Sequence, residues 1–422
     1  MADLSTVCAG IASPNPFWLA SAPPANSGLQ VQRAFEAGWG GAVWKTLGTP
    51  IQNVSSRFGG HTIRGVQGAG FNNIELITDR PLETNFREIR ETKRLFPRHA
   101  LVVSLMVETQ QEWREIIARS IDAGADGIEL NFGCPHGMCE RGMGSAVGQE
   151  PAVNERITAW AVQYSTVPVL VKLTPNVTDI LPHGMAARRG GAHGVSLINT
   201  IKSIIGVDID RFVPQPVVAG ASTNGGYCGA AVKPIALHMV AELARDPAFG
   251  LPISGIGGVC NWRDAVEFIL LGSSSVQVCT EVMLRGYRIV EDMKQGLSDY
   301  MDAKGFTSVA QMVGKAVPAF REWGQLDLNH ETVARIDASR CIGCQLCVAA
   351  CHDGAHQCIH PVAGTRVPRV DESECVGCNL CQIVCPVPDC IAMERVENGY
   401  PPASWNDHVQ QGATLRPKKG AH

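Results

Sequence analysis

Two short cysteine runs constrain this chain more than any other feature. Cys341-x2-Cys344-x2-Cys347-x3-Cys351 is followed, 24 residues after Cys351, by Cys375-x2-Cys378-x2-Cys381-x3-Cys385-Pro386. Thiolates at this spacing wrap a cubane of iron and sulfide, and in two-cluster folds the fourth cysteine of each run reaches across to the other cluster. The spacing therefore assigns one [4Fe-4S] cluster to Cys341, Cys344, Cys347 and Cys385, and the other to Cys375, Cys378, Cys381 and Cys351. A pair of structural zinc sites is the alternative, but zinc folds lack a third cysteine at the same step and a fourth three residues on. His352 stands where proline usually follows the first run. Cys358 and Cys390 fall outside the ligand pattern and read as structural thiols.

Sixteen cysteines would suggest disulfides in a small secreted chain, yet half of them sit in these two runs. Met1-Ala2-Asp3-Leu4 lacks the basic and apolar regions of an export signal, and no apolar run reaches the roughly 18 residues of a membrane span. The expected location is cytoplasmic. A net charge of -4 leaves no basic field for nucleic acid.

The first 300 residues follow a different rhythm. Apolar runs of strand length occur at Phe17 to Ala22, Gly41 to Leu47, Ala100 to Met106, Gly127 to Phe132, Val167 to Leu173, Gly194 to Thr200, Pro252 to Ile256 and Ser274 to Cys279. Helical patterns alternate with them at Ser27 to Ala37, Leu82 to Leu95, Gln110 to Ala123, Ala152 to Tyr164, Thr178 to Arg189, Pro234 to Ala244 and Trp262 to Leu270. Such alternation implies a parallel sheet buried on both faces, and eight strands imply closure into a (β/α)8 TIM barrel. The fold expected is therefore α/β, a barrel over residues 1–307 followed by a ferredoxin domain over 336–398. A helical linker over 308–335, clearest at Ser308 to Trp323, joins them, and a loosely held tail covers 399–422. Two long connections, 48 to 80 and 201 to 230, leave from the C-terminal side of the strands and are candidates to cover a substrate.

That side of a barrel is where chemistry is kept. There the fourth strand runs into Asn131-Phe132-Gly133-Cys134-Pro135-His136-Gly137-Met138-Cys139-Glu140-Arg141-Gly142-Met143-Gly144. Gly133 and Pro135 bracket Cys134, and the later glycines give the segment hinge freedom, so the stretch reads as a catalytic thiol on a mobile lid. Lys45, Lys172 and Asn199 also sit at strand ends and should converge on one mouth. Buried lysines call for anionic partners: either neighbouring carboxylates or the electron-rich edge of a reduced ligand. Electrons arriving singly from the clusters need an acceptor that passes them in pairs, which a flavin does and a nicotinamide does not. Ser254-Gly255-Ile256-Gly257-Gly258-Val259 before a helix, with Cys279-Thr280 after the eighth strand, offers backbone N–H groups for its phosphate.

Longer motifs carry a family likeness. Pro16-Phe17-Trp18-Leu19-Ala20-Ser21-Ala22, Arg33 to Gly40, Asn73-Ile74-Glu75-Leu76-Ile77, Leu130 to Met138, Lys172-Leu173-Thr174-Pro175-Asn176-Val177-Thr178 and Asn199-Thr200 resemble the FMN domain of the dihydropyrimidine dehydrogenase family, over about residues 5 to 395. The chain looks like the bacterial catalytic subunit. The resemblance implies FMN binding by Ala20, Ser21, Lys45, Thr46, Lys172, Gly257, Gly258, Cys279 and Thr280. It implies hydrogen bonds from Asn73, Glu75, Asn131, Asn199 and Thr200 to a pyrimidine ring, and Cys134 as general acid. Gly133 departs from the serine expected in the animal enzyme, and Cys139 is unexpected.

The implied reaction interconverts uracil or thymine and their 5,6-dihydro forms. Reduced flavin delivers hydride to C6, while a thiol near its usual pKa of roughly 8.5, protonated at neutral pH, supplies the proton at C5. The implied partner is a subunit with FAD and NAD(P), in a homodimeric core or heterotetramer. Two rivals remain: a dihydroorotate dehydrogenase, whose substrate carboxylate needs a cationic or additional amide partner, and an electron-relay subunit with a silent barrel.

Overall fold

The computed structural model describes residues 2–49, 51–63, 66–135 and 137–417. It divides into two compact units, Met1–Phe320 and Arg321–His422.

In the first unit, eight strands made mainly of apolar and small residues close on themselves. They are β1 (Phe17–Leu19), β2 (Gly41–Leu47), β3 (Ala100–Leu105), β4 (Gly127–Asn131), β5 (Val169–Lys172), β6 (Gly194–Leu197), β7 (Ile253–Ile256) and β8 (Ser273–Val278). Each pairs in parallel with the next, and β8 pairs with β1, so the barrel is closed. All eight sequence runs are these strands. Parallel neighbours require a crossover, and amphipathic helices supply it. They are α1 (Gly28–Ala37), α2 (Leu82–Leu95), α3 (Gln110–Asp122), α4 (Pro151–Tyr164), α5 (Leu181–Arg189), α6 (Lys233–Arg245) and α7 (Trp262–Leu270). The polar starts read from the sequence act as caps. Ser27 accepts from Gln30 N, while Thr109 and Asn261 form capping boxes with Glu112 and Asp264. A further helix, α8 (Ile289–Lys304), completes the outer layer and was not among the helices read from the sequence.

The barrel floor is sealed by a hairpin, Thr6–Cys8 with Ile11–Ser13, which turns through Ala9 and Gly10 at φ 53 and 84. Its Cys8 and Ile11 pack with Trp18, Val43, Ala100, Val102 and Leu170. The mouth is treated differently. The two long connections meet in one antiparallel sheet in which Phe58–Ile63 pairs with Val66–Asn73, Val66–Asn73 with Gly225–Cys228, and Gly225–Cys228 with Ile201–Ser203. The sequence marked them as separate coverings. Because pairing across two insertions leaves no local signal, their union into a sheet was not legible.

The second unit is built on an internal repeat. Thr332–Ile336 pairs with Ile391–Arg395, and helices Leu346–Gly354 and Leu380–Val384 carry the later cysteines of the two runs, Cys347 and Cys351 in the first and Cys381 in the second. Gly343 and Gly377, at φ 75 and 74, are followed two residues later by Gln345 and Asn379 at φ 61 and 56, so both runs make the same tight turn.

Two sequence expectations fail here. The helical stretch Ser308 to Trp323 is three short 3-10 turns, Val309–Gln311, Val317–Ala319 and Trp323–Gln325, because Gly314 at φ 77 and Pro318 interrupt any longer helix. The tail expected to be loose is tied down as far as Arg416. Asn329 donates to Pro401 O and Thr414 O and accepts from Arg416 N, and Ser404 caps the helix Trp405–Gln411.

The floor hairpin provides a stability test. Ile11 is buried against the barrel bottom. Ile11→Ala should destabilise the first unit by about 2 to 5 kcal/mol. An unchanged thermal unfolding midpoint would show that the hairpin does not hold the floor.

Candidate active site

Parallel closure delivers the candidate side chains to one rim. Ala20 and Ser21 follow β1, Lys45 and Thr46 lie near the end of β2, Asn131 ends β4 and Lys172 ends β5. Asn199 and Thr200 follow β6, Gly257 and Gly258 follow β7, and Cys279 and Thr280 follow β8. With Asn73 and Glu75 from the end of the covering sheet and Cys134 from the loop after β4, they line one cavity of about 1170 Å³, part of it open to solvent.

Beneath the cavity the barrel interior is polar. Glu129 is fully buried, and its Oε2 accepts from Ser196 Oγ at 2.7 Å and from Gln277 Nε2 at 3.3 Å. Lys172 Nζ stands 3.8 Å from the other oxygen, and Gln277 Nε2 also reaches Ser254 Oγ at 3.1 Å. A buried carboxylate is tolerable only with such company. Nearer the mouth, Lys45 Nζ lies 2.9 Å from Glu75 Oε2, and Arg57 Nη1 lies 2.6 Å from Glu75 Oε1. Both lysines thus have a carboxylate neighbour, close for Lys45 and distant for Lys172. Lys172 is accordingly the less committed of the two.

The asparagines hold one another. Asn131 Nδ2 donates to Thr46 Oγ1 at 3.0 Å, and Asn131 Oδ1 accepts from Asn199 Nδ2 at 2.9 Å and from Gly133 N at 3.3 Å. Asn199 Oδ1 accepts from Thr200 N, and Asn73 Oδ1 from Glu75 N. Each amide nitrogen carries a second hydrogen beyond these bonds, so the set can offer donors to carbonyl oxygens. This packing also accounts for Gly133. A Cβ there would run into the side chain of Asn199, so serine cannot occupy the position without displacing it.

Cys134 is half-buried, on a loop folded back upon itself by the bond from Ser145 N to Cys134 O at 3.0 Å. Gly137, Gly142 and Gly144, at φ 61, 76 and 59, supply the bends. Met138 and Met143 are buried with Ile77 and Met106, and Cys134 packs against them. The lid of the sequence reading is therefore stapled by side chains rather than free. His136 and the side chain of Cys139 lie outside the described residues. Cys228 and Cys279 also line the cavity; burial pushes the first up to about 11 and the second up to about 12, which keeps both as thiols at neutral pH.

At the other end of the cavity, Gly257 and Gly258 take φ 129 and 74. None of the hydrogen bonds of the described residues uses the N–H of Gly257, Gly258 or Val259. A Cβ on Gly258 would come within 2.8 Å of the backbone N of Lys233. The start of the Thr280–Arg285 helix and the Ala230–Val232 turn face the same space. Bare amides beside helix starts form an anion cradle, and this one fits a phosphate.

In the second unit, one cavity is lined by Cys341, Cys344, Cys347 and Cys385, and another by Cys351, Cys375, Cys378 and Cys381. This is the crossed grouping that the spacing assigned. Cysteines set around each cavity in this way suit the corners of a cubane cluster.

Sequence reasoning missed Glu129, Gln277 and Arg57. The first two could have been found as isolated polar residues inside apolar strand runs; Arg57 lies in an insertion and gave no signal.

Comparison with known proteins agrees with this geometry. A family profile described as dihydroorotate dehydrogenase matches residues 4–301, and one described as a 4Fe-4S dicluster domain matches residues 334–393. The chain is 44% identical over 398 residues to the NAD-dependent dihydropyrimidine dehydrogenase subunit PreA of Escherichia coli, covering 94% of this chain and 96% of that one. It is 40% identical over 331 residues to the chloroplastic dihydropyrimidine dehydrogenase (NADP(+)) of Arabidopsis thaliana, covering 75% and 78%. It is 35% identical over 315 residues to the catalytic subunit of dihydroorotate dehydrogenase B (NAD(+)) of Pyrococcus horikoshii, covering 73% and 96%. With barrel and dicluster unit matched in one relative, the chain belongs to the dihydroorotate dehydrogenase family of FMN barrels, among the dihydropyrimidine dehydrogenase subunits that carry two [4Fe-4S] clusters.

Proposed function

We propose that this chain is the catalytic subunit of an NAD-dependent dihydropyrimidine dehydrogenase, interconverting uracil or thymine and their 5,6-dihydro forms. The observation that carries the reading is the single barrel mouth at which Cys134, the asparagines and both buried lysines meet above an anion cradle. FMN, when bound, supplies the hydride exchange at one carbon of the 5,6 double bond.

The protein's own residues do the rest. Gly257, Gly258, Cys279 and Thr280 would hold the FMN phosphate through backbone N–H groups, while Ala20, Ser21, Thr46 and Lys45 would line its ring site. Lys172, whose carboxylate partner is 3.8 Å away, keeps positive charge available to the flavin edge. Asn73, Asn131, Asn199, Thr200 and Glu75 orient the pyrimidine, the amide hydrogens meeting its carbonyls. The Cys134 thiol delivers its proton to C5 in the reductive direction and regains one from solvent.

A dihydroorotate reading is weaker because Lys45 and Lys172 are the lysine and arginine side chains of the described cavity lining. Lys45 is engaged by Glu75 and Lys172 is assigned to the flavin edge, so a substrate carboxylate would have to compete with one or the other. A neutral imide ring makes no such demand. A relay subunit with a silent barrel is disfavoured by the same assembled mouth.

The relative's name makes it a subunit, and clusters exchange electrons singly. A partner with FAD and an NAD(P) site, taking hydride and passing single electrons, therefore completes the enzyme. A homodimeric core or heterotetramer goes with it by family likeness. Clusters held by reduced thiolates suit a cytoplasmic setting.

Dihydrouracil added anaerobically should bleach the flavin of the purified chain. Bleaching by dihydroorotate alone would favour the rival, and no bleaching the relay. Cys134→Ala should retain FMN and bind pyrimidine but lose about 100- to 10,000-fold in turnover; near-normal turnover would remove Cys134 from the reaction. Gly258→Ala should purify with much less FMN, because its Cβ has no room at φ 74. Full flavin content in that variant would place the phosphate elsewhere.

A further inference from the structure

The two halves of the dicluster unit repeat one another down to single hydrogen bonds. Asp337 N donates to Cys390 O at 2.8 Å, and Asp371 N donates to Cys358 O at 2.7 Å. Asp337 Oδ1 accepts from Ser339, and Asp371 Oδ1 from Ser373, in matching turns. Cys358 and Cys390 therefore occupy corresponding places. Each follows the cysteine that crosses to the other run's cluster, and each joins the cavity of that cluster. Both cavities are lined by five cysteines where four ligands suffice.

At the thiols the correspondence is partial: Cys390 Sγ lies 3.8 Å from Asp337 O and also bonds with the Cys385 thiol, while its backbone N donates to Val387 O. Cys358 Sγ lies 3.6 Å from Cys351 Sγ, and Cys358 N donates to that same sulfur at 3.3 Å. Both residues are buried.

We propose that Cys358 is a reserve ligand for the cluster held by Cys351, Cys375, Cys378 and Cys381. A sulfur already touching a ligand sulfur needs a side-chain rotation, and no opening of the backbone, to reach the same iron. The backbone bond from Cys358 N to Cys351 Sγ keeps it at that corner. When the Cys351 sulfur is removed, the Cys358 thiol gives its proton to solvent and its thiolate takes the vacated iron. No electron changes hands, and the cluster keeps four thiolate ligands. An apolar residue at position 358 would pack as well, since buried cysteine behaves as a small hydrophobe, but it would leave the iron open.

Iron content and the reduced-state electron paramagnetic resonance spectrum test this on the anaerobically purified full chain. Cys351→Ala should keep both clusters, about eight irons per chain, and Cys351→Ala/Cys358→Ala should keep one, about four. Loss of four irons in Cys351→Ala alone would overturn the proposal. Should the alanine variant not accumulate, Cys351→Ser replaces it. Its spectrum should differ from that of Cys351→Ser/Cys358→Ala, in which the serine oxygen alone can hold the corner. Identical spectra for that pair would equally overturn it.

Discussion

Everything at the barrel mouth depends on one ladder, the closure of β8 on β1. Val276, Gln277 and Val278 stand opposite Phe17, Trp18 and Leu19, and Ala20 N continues the ladder to Val278 O at 3.0 Å. That bond sets Ala20 and Ser21 beside Cys279 and Thr280, from opposite ends of the first unit's sequence. Because all eight strands run the same way, their C-terminal ends share one rim. A slip of one residue in any ladder would exchange inward and outward faces, sending Gln277 into the helix layer and an apolar neighbour into the polar interior.

The same closure makes the interior electrostatics possible. Glu129 is fully buried, and it is held by groups from three other strands: Lys172 on β5, Ser196 on β6 and Gln277 on β8. An ion pair as long as the one between Lys172 and Glu129 is a poor device for stability, because two desolvated charges 3.8 Å apart regain only part of what burial removes. It is a better device for keeping a positive side chain in place at the mouth. Lys45 is arranged the other way, in close contact with Glu75, which also engages Arg57 from the insertion after β2. That contact joins the covering segment to the barrel interior, so one lysine serves the architecture while the other faces the cavity with less compensation.

How much of this was legible depended on the range of the interaction that fixed it. Strand runs, helix caps at Ser27, Thr109 and Asn261, and cysteine spacings are written within a few residues, and they read correctly. The crossed cysteine grouping was legible because spacing and cluster geometry leave few arrangements. The covering sheet was not, since Tyr227 opposite Asn72 is decided by two insertions meeting in space. Nor was the role of Gly133. It read as a missing hydroxyl, whereas its absent side chain is what lets Asn199 approach Asn131. The connector misled because its polar-apolar pattern suits a helix, while Gly314 and Pro318 veto one.

The two walls of the cavity are held by different physics. The covering sheet is a backbone ladder, with Phe71, Asn72 and Asn73 bonded to the strand Gly225–Cys228, so it shifts only if several amide bonds break together. The loop carrying Cys134 is secured by Met138 and Met143 against Ile77 and Met106, by the bond from Ser145 N to Cys134 O at its neck, and by turn bonds such as Met143 N to Met138 O. Methionine packs through flexible, polarizable side chains that re-seat at small cost. The wall that ends in Asn73 is thus held by backbone pairing, and the wall that carries Cys134 by turns and adaptable methionine packing. Under the proposed function, that division would suit a ring that is seated first and an acid that then moves up to it.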